Sequence, residues 1–333
     1  PLEVFGGVPA TRKRQRWWRA TPGLGNQESM DIYLPIAELS VNALVIVGFG
    51  VLVGVLSGMF GVGGGFLTTP MLIFYGIPPA IAVASSATQI TGSSVSGALA
   101  HWRRGGVDPK MGAVIVAGGV VGSGIGSYLF KLLQKIGQID ISISLIYVVF
   151  LSTMGGLMLV ESWQTLRRAR AGEIRRVKLH PHIPLIAALP WKMRFYKSGL
   201  YISPLAPFGI GVIVGILTFI MGIGGGFIMV PAMIYLLGMS VSVVVGTSLF
   251  QIVFTTSIIT LLHAVQSKTV DIVLALMLLI GGVVGAQIGA RMAQRPPPEK
   301  LRFALALLGI AVAIRLLVGL TWTPSELYSV YAE

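Results

Sequence analysis

The chain has 333 residues, 54% of them hydrophobic and only 11% charged, with a mean hydropathy of +0.82. Soluble domains carry roughly a quarter charged residues, so a water-soluble fold is excluded and a lipid environment is indicated. The net charge of +13 does not form a nucleic-acid face, because its cations cluster in connections, and the absence of cysteine excludes disulfides, thiol nucleophiles and Cys-metal centres.

Residues 1–29 open with Pro1 and carry a basic run, Thr11–Arg19, with Trp17 and Trp18. Met30 is the expected natural start, and residues 1–29 are expected to be a disordered tail or a non-native extension. Asp31–Ser40 is short and mixed in polarity and contains Pro35; a helix lying at the interface is expected. Membrane spans are expected at about 41–59, 80–100, 112–130 and 141–160. The apolar piece at 66–76 is too short to cross at about 1.5 Å per residue, so it reads as re-entrant or as half of a broken helix. Residues 161–203 are a basic linker, assigned to the cytoplasmic side by Arg167, Arg168, Arg170, Arg175, Arg176, Lys178, Lys192, Arg194 and Lys197. The pattern then returns, with spans at 205–221, 240–263, 272–292 and 301–319, a short piece at 227–238, and a tail at 321–333. The two repeats cover 30–160 and 204–320.

The duplication is legible residue by residue. Gly61-Val62-Gly63-Gly64-Gly65-Phe66 with Pro70 becomes Gly222-Ile223-Gly224-Gly225-Gly226-Phe227 with Pro231 after a shift of 161. A shift of 162 brings Ser86 onto Ser248, Gln89 onto Gln251 and His101 onto His263. Gly118–Gly122 meets Gly281–Gly285 after a shift of 163. The fold class is therefore an all-α polytopic membrane protein with an internal repeat. We read about eight full spans plus two re-entrant pieces, with parallel halves. Counting the short pieces as crossings gives inverted halves instead. The eight-span count strands Arg291, Arg295, Lys300 and Arg302 on the side opposite the linker.

Residues 41–100 and 204–262 contain no Asp, Glu, Lys, Arg or His. Intramembrane carboxylate relays, paired acids and metal-ligand clusters are missing from these stretches, so neither catalysis nor a cofactor is expected. What remains is polar but neutral. Gly63, Gly64, Gly65 and Gly224, Gly225, Gly226 break helices, and a helix that starts after such a break turns free N–H groups and a positive dipole end toward the gap. Such a start suits an anion. The plainer alternative is that these glycines serve close helix crossing. Ser85, Gln89 and Ser93 share one helix face at i, i+4, i+8, and Thr247, Gln251 and Thr255 repeat the stripe. The candidate substrate-binding set is these glycines with Ser85, Ser86, Gln89, Thr247, Ser248 and Gln251. Interhelical hydrogen bonding is the alternative for the hydroxyls. His101 and His263 end the two stripes and are candidates for proton coupling, with interfacial histidines as the bland alternative.

The two glycine motifs with their prolines, Ser85-Ser86-Ala87-Thr88-Gln89 and Gly246-Thr247-Ser248-Leu249-Phe250-Gln251 together resemble the TauE/SafE family of sulfite and organosulfonate exporters, over residues 30–320. The resemblance implies a multi-pass carrier of the bacterial inner membrane for small sulfur-containing anions such as sulfite or sulfoacetate, driven by an ion gradient. Its partners would be the small anionic substrate, a coupling proton or cation, and the lipid bilayer. A passive anion channel, a carrier for a non-sulfur carboxylate, and a non-transporting scaffold are the competing classes.

Overall fold

The computed structural model describes residues 31–60, 64–170, 190–292 and 298–321. The chain order is β1 (Asp31–Leu34), β2 (Leu39–Asn42), α1 (Ala43–Phe60), α2 (Gly65–Phe74), α3 (Pro79–Arg103), α4 (Pro109–Lys135) and α5 (Ile139–Arg170). Then come β3 (Met193–Phe195), β4 (Leu200–Ile202), α6 (Leu205–Met221), α7 (Gly226–Pro231), α8 (Val241–Leu262), α9 (Ile272–Met292) and α10 (Pro298–Thr321). Helices α7 and α8 each run on into a π turn, at Ala232–Leu236 and His263–Ser267. The first π turn follows Pro231, whose missing N–H and ring clash favour a widened turn. Among the described residues, four helices have both the length and the hydropathy to cross a membrane, and several shorter ones are apolar.

Two sequence expectations are corrected at the edges. Asp31–Ser40 is not an interfacial helix. It pairs with itself as an antiparallel hairpin, Asp31 opposite Asn42 and Leu34 opposite Leu39, with Glu38 in the left-handed region at φ 54°. The four-residue strands are too short to show an alternation that a sequence scan detects. The stretch 161–203 is not uniformly a linker: α5 continues to Arg170, and β3 pairs with β4 in a second hairpin, Met193 opposite Ile202. Residues 171–189, the tail at 1–29 and most of 321–333 lie outside the described residues.

Glycine stripes set how the helices pair. Helix α1 lies along α9, and α4 lies along α6. A Cβ on Gly54 would come within 2.4 Å of the Gly282 carbonyl oxygen, and one on Gly285 within 2.2 Å of the Val51 oxygen. In the other pair, a Cβ on Gly122 would meet the Val212 oxygen at 2.2 Å, and one on Gly215 the Gly119 oxygen at 2.5 Å. These helices therefore touch backbone to backbone, which only small residues permit. Under the sequence shift α1 becomes α6 and α9 becomes α4, so the two pairs correspond. Helix α3 crosses α8 at the centre, joined by the Thr91 and Thr256 hydroxyls at 2.8 Å, and α5 packs on α10 along the side.

The ends of the bundle follow from its apolar clusters. Leu34 and Val41 of the first hairpin pack with Ile46 of α1, Leu72 of α2, Ile81 of α3 and Leu274 of α9. Phe195 and Ile202 of the second hairpin pack with Met111 of α4, Met233 at the end of α7 and Val244 of α8. The end of α2 thus returns to the start of α1: the Asn42 amide donates to the Tyr75 hydroxyl at 3.2 Å, and the Phe49 and Tyr75 rings meet edge to face. This corrects the parallel reading. That reading took α1, about 27 Å long, for a complete crossing before the short piece. Instead α1 and α2 form one bent hairpin whose two ends share a side. The start of α4 therefore lies opposite the start of α1, and the starts of α6 and α8 lie with α4.

Candidate functional site

The two breaks meet at the middle of the bundle. Gly64 turns at φ 64°, Gly224 at 77° and Gly225 at 76°, a region that costs other residues roughly 1–2 kcal/mol, so glycine is required there. A Cβ on Gly65 would approach the Gly222 carbonyl oxygen to 2.6 Å. The Phe66 and Phe227 rings stack at 4.7 Å between centroids. Thr69 donates to the Met221 carbonyl, as does the buried Tyr147 hydroxyl. The breaks are close to one another but not loose. Ile90 wedges between them, 2.1 Å from a Cβ built on Gly65 and 2.7 Å from one built on Gly224, and Ile252 stands beside it. Ile90 and Ile252 follow Gln89 and Gln251, so the wedge joins equivalent positions. Gly63 lies outside the described residues.

The polar stripes divide into side chains with partners and side chains without. Ser85 and Thr247 are engaged away from the breaks: Ser85 Oγ accepts from the Asp271 amide at 3.3 Å, and Thr247 Oγ1 from the Asp108 amide at 3.0 Å. Gln89 Oε1 accepts from Thr68 at 3.3 Å, while its Nε2 faces Gly282, where a Cβ would stand 2.6 Å away. Gln251 donates through Nε2 to Thr255 at 2.9 Å, and its Oε1 has no partner among the described residues. Ser86 and Ser248 are fully buried, and both hydroxyls lack a partner among the described residues. Each such orphan costs on the order of 1–3 kcal/mol. Ser94, Ser267 and Thr269 carry orphaned hydroxyls too, but Ser86 and Ser248 form the pair at equivalent positions. Ser86 shares its helix face with Val83 and Ile90, the residues packed on Gly222 and Gly224, so it lies on the side of the second break. Thr218 places another orphaned hydroxyl beside Gly225.

This arrangement can hold an anion by neutral donors. Ser86 and Ser248 supply O–H groups. Rotating the Gln251 amide by half a turn lets Thr255 donate to Oε1 and leaves both N–H groups free for a ligand. Ser86, Ser248 and Gln251 are buried, so each donor counts for more than it would in water. Among the described residues no three metal-ligating side chains gather. His101 and His263 are not brought together. His263 is buried, stacked on Phe219 at 4.1 Å and edge-on to Phe130, with Nε2 3.1 Å from the Phe219 oxygen and Nδ1 without a partner. His101 sits at the other end, against Gly246.

A family model described as "Sulfite exporter TauE/SafE" matches residues 46–316. The chain belongs to the TauE/SafE family. Among its relatives, the probable membrane transporter protein YunE of Bacillus subtilis (strain 168) is 29% identical, the match covering 81% of this chain and 96% of the relative. YjnA from the same organism, a probable membrane transporter protein, is 26% identical over 82% and 98%. A probable membrane transporter protein of Xylella fastidiosa (strain 9a5c) is 28% identical over 83% and 95%. No solved structure matches. As a TauE/SafE protein the chain is a multi-pass membrane protein.

Sequence reasoning missed two residues of this TauE/SafE chain, Asp108 and Asp271. Both are buried, and each caps a helix. Asp108 Oδ1 accepts from the Met111 amide at 3.2 Å and Asp271 Oδ1 from the Leu274 amide at 3.1 Å. They are related by a shift of 163. The signal was an aspartate at the N-cap position before each of two duplicated helices. Both lie just outside the uncharged stretches that hold the expected site residues.

Proposed function

We propose that this TauE/SafE protein is a secondary transporter, working in the export direction, for small sulfur-containing anions such as sulfite or organosulfonates. It moves them by alternating access of two duplicated, inverted halves around the paired glycine breaks. The observation that carries the reading is the pair of partnerless buried hydroxyls, Ser86 and Ser248, at equivalent positions of α3 and α8, with Ser86 on the side of the second break. Gln89 and Gln251 complete the donor set. A pyramidal or tetrahedral oxyanion accepts from several directions at once, which suits donors arriving from both halves. Cation placement supports the inverted sense. Arg103, Arg104, Lys110, Lys192, Arg194, Lys197 and Arg291 fall at the end that carries the second hairpin, which makes that end cytoplasmic in a bacterial inner membrane. Arg291, which the parallel count stranded, then lies at the same end as Lys192, Arg194 and Lys197.

The test is a thermal-shift screen of the purified protein against sulfite, thiosulfate, sulfoacetate, taurine and acetate. Stabilisation by a sulfur oxyanion that disappears in the Ser86→Ala, Ser248→Ala double variant is expected. Equal stabilisation of parent and double variant removes the two hydroxyls from the site, and a response to acetate alone turns the reading to a carboxylate carrier.

A further inference from the structure

The geometry points to a pair of clasps, Asp108 and Asp271, that hold opposite ends of the bundle shut and open in turn. The inference rests on the alternating-access reading above. Each carboxylate ties the halves together. Asp108, at the start of α4, accepts through Oδ2 from the Ser198 amide at 3.0 Å and the Ser198 hydroxyl at 2.6 Å, in the turn of the second hairpin. Asp271, at the start of α9, accepts through Oδ2 from the Ile36 amide at 3.0 Å, in the turn of the first hairpin. The backbone completes the exchange: the Asp108 amide is held by Thr247 of the second half, the Asp271 amide by Ser85 of the first. Each backbone-amide contact made by one acid across the halves has its counterpart at the other acid, and the Ser198 hydroxyl adds one contact at Asp108 that Ile36 cannot make.

The clasps are also wired to the candidate site. Ser85 and Thr247 adjoin Ser86 and Ser248, the two orphaned hydroxyls. A ligand that draws Ser248 toward itself shifts α8 and with it the hold on Asp108. A ligand drawing Ser86 does the same to Asp271. Both clasps are closed in this structure, and both ends are packed: Ala82 beneath the first hairpin and Val244 beneath the second are fully buried. These two residues are themselves equivalent by the 162 shift. Charge-assisted hydrogen bonds of this kind are roughly twice as strong as neutral ones, so removing the charge weakens a clasp without abolishing the fold. Asp108 and Asp271 are positioning residues, since they act through the helices and hairpins they join.

The chain contains no cysteine, so single reporters can be placed cleanly. The experiment reconstitutes the full chain carrying Ala82→Cys or Val244→Cys and measures the labelling rate with a membrane-impermeant maleimide applied to the matching side. With Asp271→Asn, Ala82→Cys is expected to label about tenfold faster while Val244→Cys keeps its rate; Asp108→Asn reverses the pattern. Asparagine keeps one acceptor oxygen for the helix cap and loses the charge that holds the hairpin. A second variant, Ser198→Ala, leaves both Asp108 oxygens in place and is expected to speed Val244→Cys alone, by less. Acceleration of both reporters together in either Asp variant means general loosening and overturns the proposal, as does unchanged labelling in all three variants. Labelling needs no substrate. Failure of every sulfur anion to bind would therefore sink the substrate reading and leave the clasps standing, while normal transport with no end-selective labelling would do the opposite.

Discussion

Replacing Gly65 by alanine tests the meeting of the two breaks at its tightest point. Gly65 lies in ordinary helical backbone at the start of α2, so the cost is steric. The new Cβ would stand 2.1 Å from Ile90 Cδ1, 2.6 Å from the Gly222 oxygen and 3.0 Å from the Ile223 carbonyl carbon. The first neighbour is the tip of a side chain and can rotate away. The other two belong to the opposite break and move only if α6 and α7 move. Overpacking that forces backbone shifts costs about 1–3 kcal/mol, and the upper half of that range applies here. Pairing the change with Ile90→Val removes the Cδ1 clash and leaves the backbone clash, so recovery of less than half the loss is expected. Gly48→Ala, on α1 with nothing within 4 Å of its Cβ, is the control and should be neutral or gain up to about 1 kcal/mol from helix propensity. The assay is thermal unfolding of the purified protein in one detergent at one concentration, for all four chains. Parent-like stability of Gly65→Ala, or full rescue by Ile90→Val, would refute the reasoning that the breaks touch through their backbones.

Other outcomes follow from the same geometry. Ser86→Ala and Ser248→Ala each delete an orphaned hydroxyl, so the ligand-free protein should hold its stability or gain about 1 kcal/mol while ligand stabilisation falls; a loss of ligand-free stability in thermal melts would mean that the hydroxyls have structural partners. Gly282→Ala drives a methyl group into Gln89 Nε2 and should weaken substrate binding more than Gly124→Ala, which has open space, as read by titration calorimetry. Arg104→Cys and Lys268→Cys, both exposed and following the equivalent helices α3 and α8, should label from opposite sides of the membrane, the arginine position from inside; labelling from one side contradicts the inverted sense. If His263 or His101 couples a proton, changing it to glutamine should abolish the pH change that accompanies flux and leave ligand binding in place.

Most of the helical frame was legible because lipid imposes one rule on every span. Backbone groups must be satisfied inside the segment, so each span appears as a long apolar run, and both breaks appear as triple glycine inside such runs. The α6 start at Leu205 and its end at Met221 were read directly, because Gly222 stops the helix with a left-handed turn. The hairpins were not legible. Their strands are three or four residues long, and what fixes them is burial of Leu34 and Phe195 against distant helices and the hold of Asp271 and Asp108 on their turns. The sense of the halves was not legible for a related reason. Sequence gives the length of α1 but not the bend that returns α2 to its start, which depends on Tyr75 meeting Asn42 and Phe49. At the site, spacing placed Ser85, Gln89, Thr247 and Gln251 on their helix faces. It could not tell that Ser85 and Thr247 spend their oxygens on the two aspartate amides while Ser86 and Ser248 are left without partners.

The central claim is that neutral donors from both halves hold a sulfur oxyanion between the abutting breaks and carry it across. Sulfite flux in proteoliposomes tests this most directly, comparing the parent with Gln89→Leu, Gln251→Leu. The account predicts saturable uptake by the parent and loss of most of it in the double variant, with folding intact. Normal sulfite flux through the double variant, or flux that rises without limit as sulfite concentration rises, would contradict it.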